Sequence, residues 1–453
     1  MANDSAVDDD ESKIVTKFLL KTCRLLQPSQ HHVHAALSCA GMATLHPPDD
    51  NEADIIPLIT GSVAEFYIQP MLSCVGDVDT MFCRSDYLAI PAGCQPPSQL
   101  GLPAEFHSRV KVCEIIDSEY QGYVYLMESY LLLRENIDDD KYDAVQFTWR
   151  SYVSHDRPNR HDTRHDGLPS HVTTEIHGPA NTVHIHSAQR NVTSDAVRCA
   201  PCLSWPTQAA DWPTRHRNYD WPDSANVDHV VSNGCDVVCV AHRLCRQDEW
   251  MNTCQWRLSF SRAEIVLINS WMPVQQIVYH MLRVFVKTER LTDITDSTGT
   301  KMLSNYNIKT LMLWVCELKP TNWWIADLNV VRICVALLYI LSDWLQNKYC
   351  PHYFVKNCNV IDTSSELELI ASHLVSITES WLSTWFVNNY LRKCAQLCPG
   401  RVSRLFDDVS TSMKLQNAVS AVVDCRLNSA LEDLWYVCWM TEFYILHFFN
   451  DMP

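Results

Sequence analysis

Glycine is scarce in this chain, with 11 in 453 residues. A glycine beside chemistry-bearing residues is therefore informative, because it permits backbone conformations and close approaches that other residues resist. Apolar runs long enough to span a bilayer are also missing. The longest, Leu434 to Phe449, is broken by Thr441 and Glu442 and reads as a buried helix, so no membrane partner is expected. The opening stretch MANDSAVDDDESK has neither a basic n-region nor an apolar h-region. The 20 cysteines then read as reduced, mostly buried thiols of a cytoplasmic protein, and the sequon Asn191-Val192-Thr193 as a coincidence of spelling. Positive charge is in short supply: the net charge is −17. Such a chain has no overall attraction to nucleic acid, and any contact of that kind needs a local basic patch. Internal repeats and low-complexity tracts are lacking as well.

What is present describes a packed protein. The hydrophobic share is 47%, with 15 Trp, and the length suits two or three domains or lobes. Strand-like segments come first and helical ones later, which predicts an α+β plan: a mixed-sheet core followed by a C-terminal helical lobe. A first helix is expected from Ser12 to Leu26, with Lys13, Lys17, Lys21 and Arg24 along one side. Val63–Ile68 and Asp77–Phe82 read as a hairpin, and Val110–Ile116 and Tyr123–Met127 as further strands. Residues 135 to 190 are rich in His, Asp, Arg and Pro, and most of the segment reads as a long loop or irregular insertion. From Pro273, Val274, Ile277, Val278, Met281, Leu282 and Phe285 repeat at helical spacing. Ile308, Leu311, Met312 and Val315 repeat it behind a capping Ser304, and Leu328, Val331, Val335 and Leu338 begin another helix. The expected boundaries are 1–270 for the core with its N-terminal helix, 271–362 for the helical lobe and 363–453 for a helical extension.

The chemistry concentrates in three acids and one turn. Gly61-Ser62 precedes Gly76-Asp77-Val78-Asp79, and Asp195 opens the later stretch DAVRCAPCLSWP. Carboxylates at i and i+2 of a strand share a face. A third from a neighbouring strand would complete an all-oxygen cage suited to Mg²⁺ or Mn²⁺. A Gly-Ser turn lets backbone N–H groups and a hydroxyl approach phosphates. Together these are the working parts of a nucleotidyltransferase.

The pieces TGSVAEF, GDVDTMF, LSWPTQAADWP, QWRLSFSRAE, LSNYNIKTLMLWVCELKP and CPHYFVKNCNVID occur in order from Thr60 to Asp362. In this the chain resembles the Mab-21 family, which includes cyclic GMP–AMP synthase and the receptors like it. The resemblance implies a nucleotidyltransferase core closed by a helical lobe, joining two nucleoside triphosphates such as ATP and GTP into a cyclic dinucleotide in innate immune sensing. It implies Asp77, Asp79 and Asp195 as catalytic metal ligands and Gly61 and Ser62 as the phosphate-binding turn. It implies Tyr306 as a base-stacking ring, Arg257, Ser259 and Ser261 as nucleotide contacts, and Arg283 or Lys287 as contacts of the triphosphate. Double-stranded RNA or DNA is the implied activator, and the stripe Lys13, Lys17, Lys21, Arg24 fits either such a contact or a solvated helix face. One departure is plain: Ile268 to Gln276, where the synthase carries a zinc module, holds neither Cys nor His. Cys199-x-x-Cys202 with Cys235, Cys239, His242 and Cys245 offers zinc another place, against the reading of buried thiols. A catalytically inactive scaffold or developmental protein of the same fold, and an enzyme making linear products, are the rival readings.

Overall fold

A computed structural model describes residues 12–13, 15–20, 24–26, 55–61, 67–69, 78–97, 106, 108–134, 142–154, 172–177, 180–187, 190–245, 248–296, 299, 301–325, 328–361 and 366–391. Strands fill the first part and helices the second, as the α+β plan expects. The strands are β1 (Arg24–Leu26), β2 (Ile55–Thr60), β3 (Tyr67–Gln69), β4 (Val78–Arg84), β5 (Tyr87–Pro91), β6 (Arg109–Asp117), β7 (Tyr123–Leu133), β8 (Asp143–Gln146), β9 (Val172–His177), β10 (Ala180–Ser187), β11 (Arg190–Cys202), β12 (Cys235–Val238) and β13 (Gln255–Ser259). Among the described residues eleven of them form one mixed sheet, ordered β2-β4-β11-β12-β13-β7-β6-β5, with β10 on β11, β9 on β10 and β8 on β7. The β4–β11 and β5–β6 pairs are parallel and the others antiparallel.

Two expectations are corrected and one is refined. The partner of the Asp79 strand is β2, not Val63–Ile68. Pro57 in the middle of IIPLIT obscures a strand in the sequence, yet β2 is the sheet edge, where a missing N–H does no harm. Residues 12–13 and 15–20 are helical, but Arg24–Leu26 is a strand paired with Tyr67–Gln69. Leu25 and Leu26 fit a helical or an extended period equally, so the apolar pattern alone could not end the helix. Within residues 135 to 190 the described part includes β8, β9 and β10, the last two paired antiparallel. Their β-branched residues, Val172, Thr173, Thr174, Ile176, Thr182, Val183 and Ile185, favour strands. The His, Asn and Thr between them hide that period when only apolar residues are counted.

The longer described helices are α1 (Ser224–Ser232), α2 (Ser261–Asn269), α3 (Pro273–Thr288), α4 (Asn305–Leu318), α5 (Val330–Gln346), α6 (Glu366–Val375) and α7 (Glu379–Phe386). All six apolar positions picked from Val274 to Phe285 are buried, as are Ile308, Leu311, Met312 and Val315. Asn307 Oδ1 accepts the Ser304 N–H at 2.7 Å and holds the start of α4. Leu328 lies outside its expected helix and is exposed; Asn329 caps α5 instead, accepting the Arg332 N–H. The largest core joins these helices to one sheet face, through Val124, Ala200, Cys202, Val237, Trp256 and Leu258. No helix among the described residues is long and apolar enough to cross a membrane.

Candidate active site on the sheet

The opposite sheet face carries the acids. In the parallel β4–β11 pair Asp195 stands directly opposite Asp79, so both carboxylates leave the same face from strands about 4.8 Å apart. The same registers run Cys199 to Val238 and Val238 to Arg257, and Asp236 to Ser259. Arg257 and Ser259 therefore share that face with Asp79 and Asp195. Asp77 and Ser62 lie outside the described residues.

Gly61 follows β2 directly and has φ +64°. A Cβ there would collide with the carboxylate of Asp79. Glycine is thus required twice, by the left-handed backbone and by the carboxylate lying against it. Thr60, opposite Asp79 in the antiparallel register, is buried and reaches the Asp79 carbonyl at 3.4 Å. On the other side of β11, Thr182 of β10 stands opposite Asp195 and donates its hydroxyl to Asp195 Oδ1 at 2.6 Å. Two carboxylates on one face form an all-oxygen donor set of the kind that hard divalent cations take.

The other expected contacts divide. Ser259 and Ser261 hydroxyls lie 3.0 Å apart, and Ser259 also reaches Met81, two residues beyond Asp79. Arg257 is exposed, and its charge acts on Tyr306 and His352. Tyr306 is partly buried and its hydroxyl lies 3.0 Å from His352 Nε2. His352 Nδ1 accepts N–H groups from Phe354 and Val355, so the ring proton of the neutral imidazole belongs on Nε2, donated to the Tyr306 oxygen. Burial, helped by Arg257, pushes the His352 pKa down to about 3. Burial holds the Tyr306 hydroxyl well above the ordinary tyrosine range. The Tyr306 ring is thereby pinned at one edge. Arg283 is not brought to this face. It is buried on α3, stacked over Tyr279, and its charge adds to the burial that lowers His280 to about 3. Lys287 sits in the last turn of the same helix, whose main neighbours are α4 and α5. Lys13 and Lys17 are exposed on the N-terminal helical segment. Lys21 lies outside the described residues and Arg24 is on β1, so the four cations do not line one helix.

Four residues beyond Asp79 and Asp195, the same strands carry Cys83 and Cys199, whose sulfurs are 3.0 Å apart. With Asp236 they form a buried group of metal-capable atoms. Arg262 already takes the cation's place there, donating to both Asp236 oxygens at 2.8 and 3.1 Å. Cys199 and Cys202, three apart on a strand, leave opposite faces: Cys202 joins the helix-side core, and that Cys-x-x-Cys spacing does not converge on one point. The described cysteines are free thiols, most of them buried. Thr182, Arg262 and His352 were not singled out from sequence. A His inside CPHYFVKN was visible, but nothing local marked Thr182.

Residues 148–270 match the family model of the Mab-21 protein nucleotidyltransferase domain, and residues 275–374 that of the Mab-21 protein HhH/H2TH-like domain. Asp195, Arg257, Ser259 and Ser261 fall inside the first match. Asp79 precedes it and is tied to it by the β4–β11 register. The chain is 28% identical over 167 residues to Protein mab-21-like of Aedes aegypti, covering 36% of this chain and 43% of that protein. It is 24% identical over 206 residues to Protein mab-21-like 3 of Danio rerio, covering 45% of this chain and 48% of that protein. The matched part thus spans less than half the length of either relative.

Proposed function

With a Mab-21 nucleotidyltransferase domain at residues 148–270 as premise, we propose that the chain is an active transferase making a cyclic dinucleotide from nucleoside triphosphates. The observation that carries this reading is the registration of Asp79 with Asp195 beside Gly61. Asp79 and Asp195, with Asp77, would hold Mg²⁺ or Mn²⁺. Such ions supply charge neutralisation at the transferred phosphoryl group and the departing pyrophosphate. Gly61, with Ser62, lets backbone N–H groups approach the phosphates. Tyr306, pinned through His352, offers a fixed ring to a base, which stacking holds with little preference for sequence. Arg257, Ser259 and Ser261 supply cationic and hydroxyl contacts on or beside the carboxylate face. ATP and GTP are the proposed substrates, double-stranded RNA or DNA the activator, and innate immune sensing in the cytoplasm the setting. Lys13 and Lys17 are the proposed contacts of that activator.

The test is a product assay. Purified protein is given labelled ATP, GTP, CTP and UTP with Mg²⁺ or Mn²⁺, and with duplex RNA, duplex DNA or neither. A phosphatase-resistant product that vanishes in Asp79→Asn is expected. A ladder of longer products would point to a linear-product enzyme. Silence under every duplex would favour a non-catalytic Mab-21 scaffold, a reading compatible with the net charge of −17.

A further inference from the structure

We propose that Thr182 is a positioning residue for the Asp195 carboxylate, a role that rests on reading Asp195 as a metal ligand. Thr182, Asp195 and Asp79 stand in one row across β10, β11 and β4. Thr182 is 3% exposed and its hydroxyl lies 2.6 Å from Asp195 Oδ1. A carboxylate only accepts, so the direction of this bond is set. Its length is that of a charge-assisted O–H···O⁻ bond. Held at Oδ1, the carboxylate cannot turn freely about its last torsion, and Oδ2 becomes the oxygen presented to a cation. The threonine is itself fixed from the far side, because β10 continues its pairing to β9, with Thr182 opposite Glu175. Its β-branched side chain keeps few rotamers on such a strand. Bonds of this kind to a liganding group fix its orientation, and their loss typically weakens metal binding about 10- to 100-fold.

The experiment measures Mn²⁺ affinity of the full chain from the electron paramagnetic resonance signal of the free ion, alongside the melting temperature. Thr182→Val keeps the shape and removes the donor. It should bind Mn²⁺ about 10- to 100-fold more weakly while melting close to the parent protein. Thr182→Ser keeps the donor and should bind like the parent. Asp195→Asn serves as the reference for loss of the ligand. Parent-like affinity in Thr182→Val, with affinity lost in Asp195→Asn, overturns the role of Thr182 and leaves the transferase reading standing. No Mn²⁺ binding by the parent overturns both. Should Thr182→Val fail to fold, Thr182→Ala, which also removes the donor, takes its place: affinity about 10- to 100-fold weaker than that of Thr182→Ser supports the role, and equal affinity overturns it.

Discussion

Strands β4 and β11 run past two polar places that differ in kind. At Asp79 and Asp195 the carboxylates are partly exposed, Asp79 lies over a glycine, and Asp195 takes a neutral hydroxyl. Four residues on, beside Cys83 and Cys199, Asp236 of the neighbouring β12 is fully buried and takes a guanidinium from Arg262. Burial raises the Asp236 carboxyl and the ion pair opposes that rise. A carboxylate supplied with its own cation is complete inside the fold. Two carboxylates side by side on one face make an all-oxygen donor set of the kind hard divalent cations take. The two places thus set a structural acid on β12 apart from the candidate catalytic pair on β4 and β11.

The largest expected effect would break the comparison at its open end. Asp195→Asn should reduce product formation by about 1000-fold, taking metal charge stabilisation as several kcal/mol, with little change in melting temperature. A loss of folding instead would make Asp195 a structural acid like Asp236. Next comes the closed end. Asp236→Asn leaves Arg262 without its buried partner and should cost about 3 kcal/mol of stability in denaturant unfolding, less if the partly exposed guanidinium finds water. Replacing both groups together with Leu and Met should recover most of that loss.

Gly61→Ala sharpens the open end further. The substitution meets the Asp79 carboxylate and a left-handed backbone, so about 1–2 kcal/mol of stability should go, together with activity. Retained activity would mean that the turn and the carboxylate are not coupled. The last prediction concerns pH. Burial first, then the neighbouring Arg257 or Arg283, lowers His352 and His280 to about 3 from an ordinary 6.5. Below pH 6.5 the unfolded chain binds protons that the folded chain refuses. Stability should therefore fall as pH drops from about 6.5 toward 3, each histidine adding a slope approaching about 1.4 kcal/mol per pH unit. His352→Gln should flatten the curve, read from chemical unfolding at pH 4.5 and 7.5.

Legibility differed by element. Val274 to Phe285 spelled out a helix and its buried side, because contacts at i, i+3 and i+4 are local. Asp79, Asp195 and Gly61 could be chosen by residue type and by resemblance. The partner of the Asp79 strand could not, since Pro57 in β2 is acceptable only at a sheet edge and edges are not local facts. Arg24 was misplaced because two leucines suit either period. Thr182 was hidden in a segment whose polar residues alternate with β-branched ones.

By themselves, the residues of this chain determined the helical faces, the glycine-bearing turn and the supply of carboxylates. Those properties depend on near neighbours and on side-chain chemistry. Tertiary structure alone decided that Asp195 stands between Asp79 and Thr182, and that Arg262 serves Asp236. Strand register joins segments far apart in sequence, and a slip of one residue would send every one of these side chains to the other face.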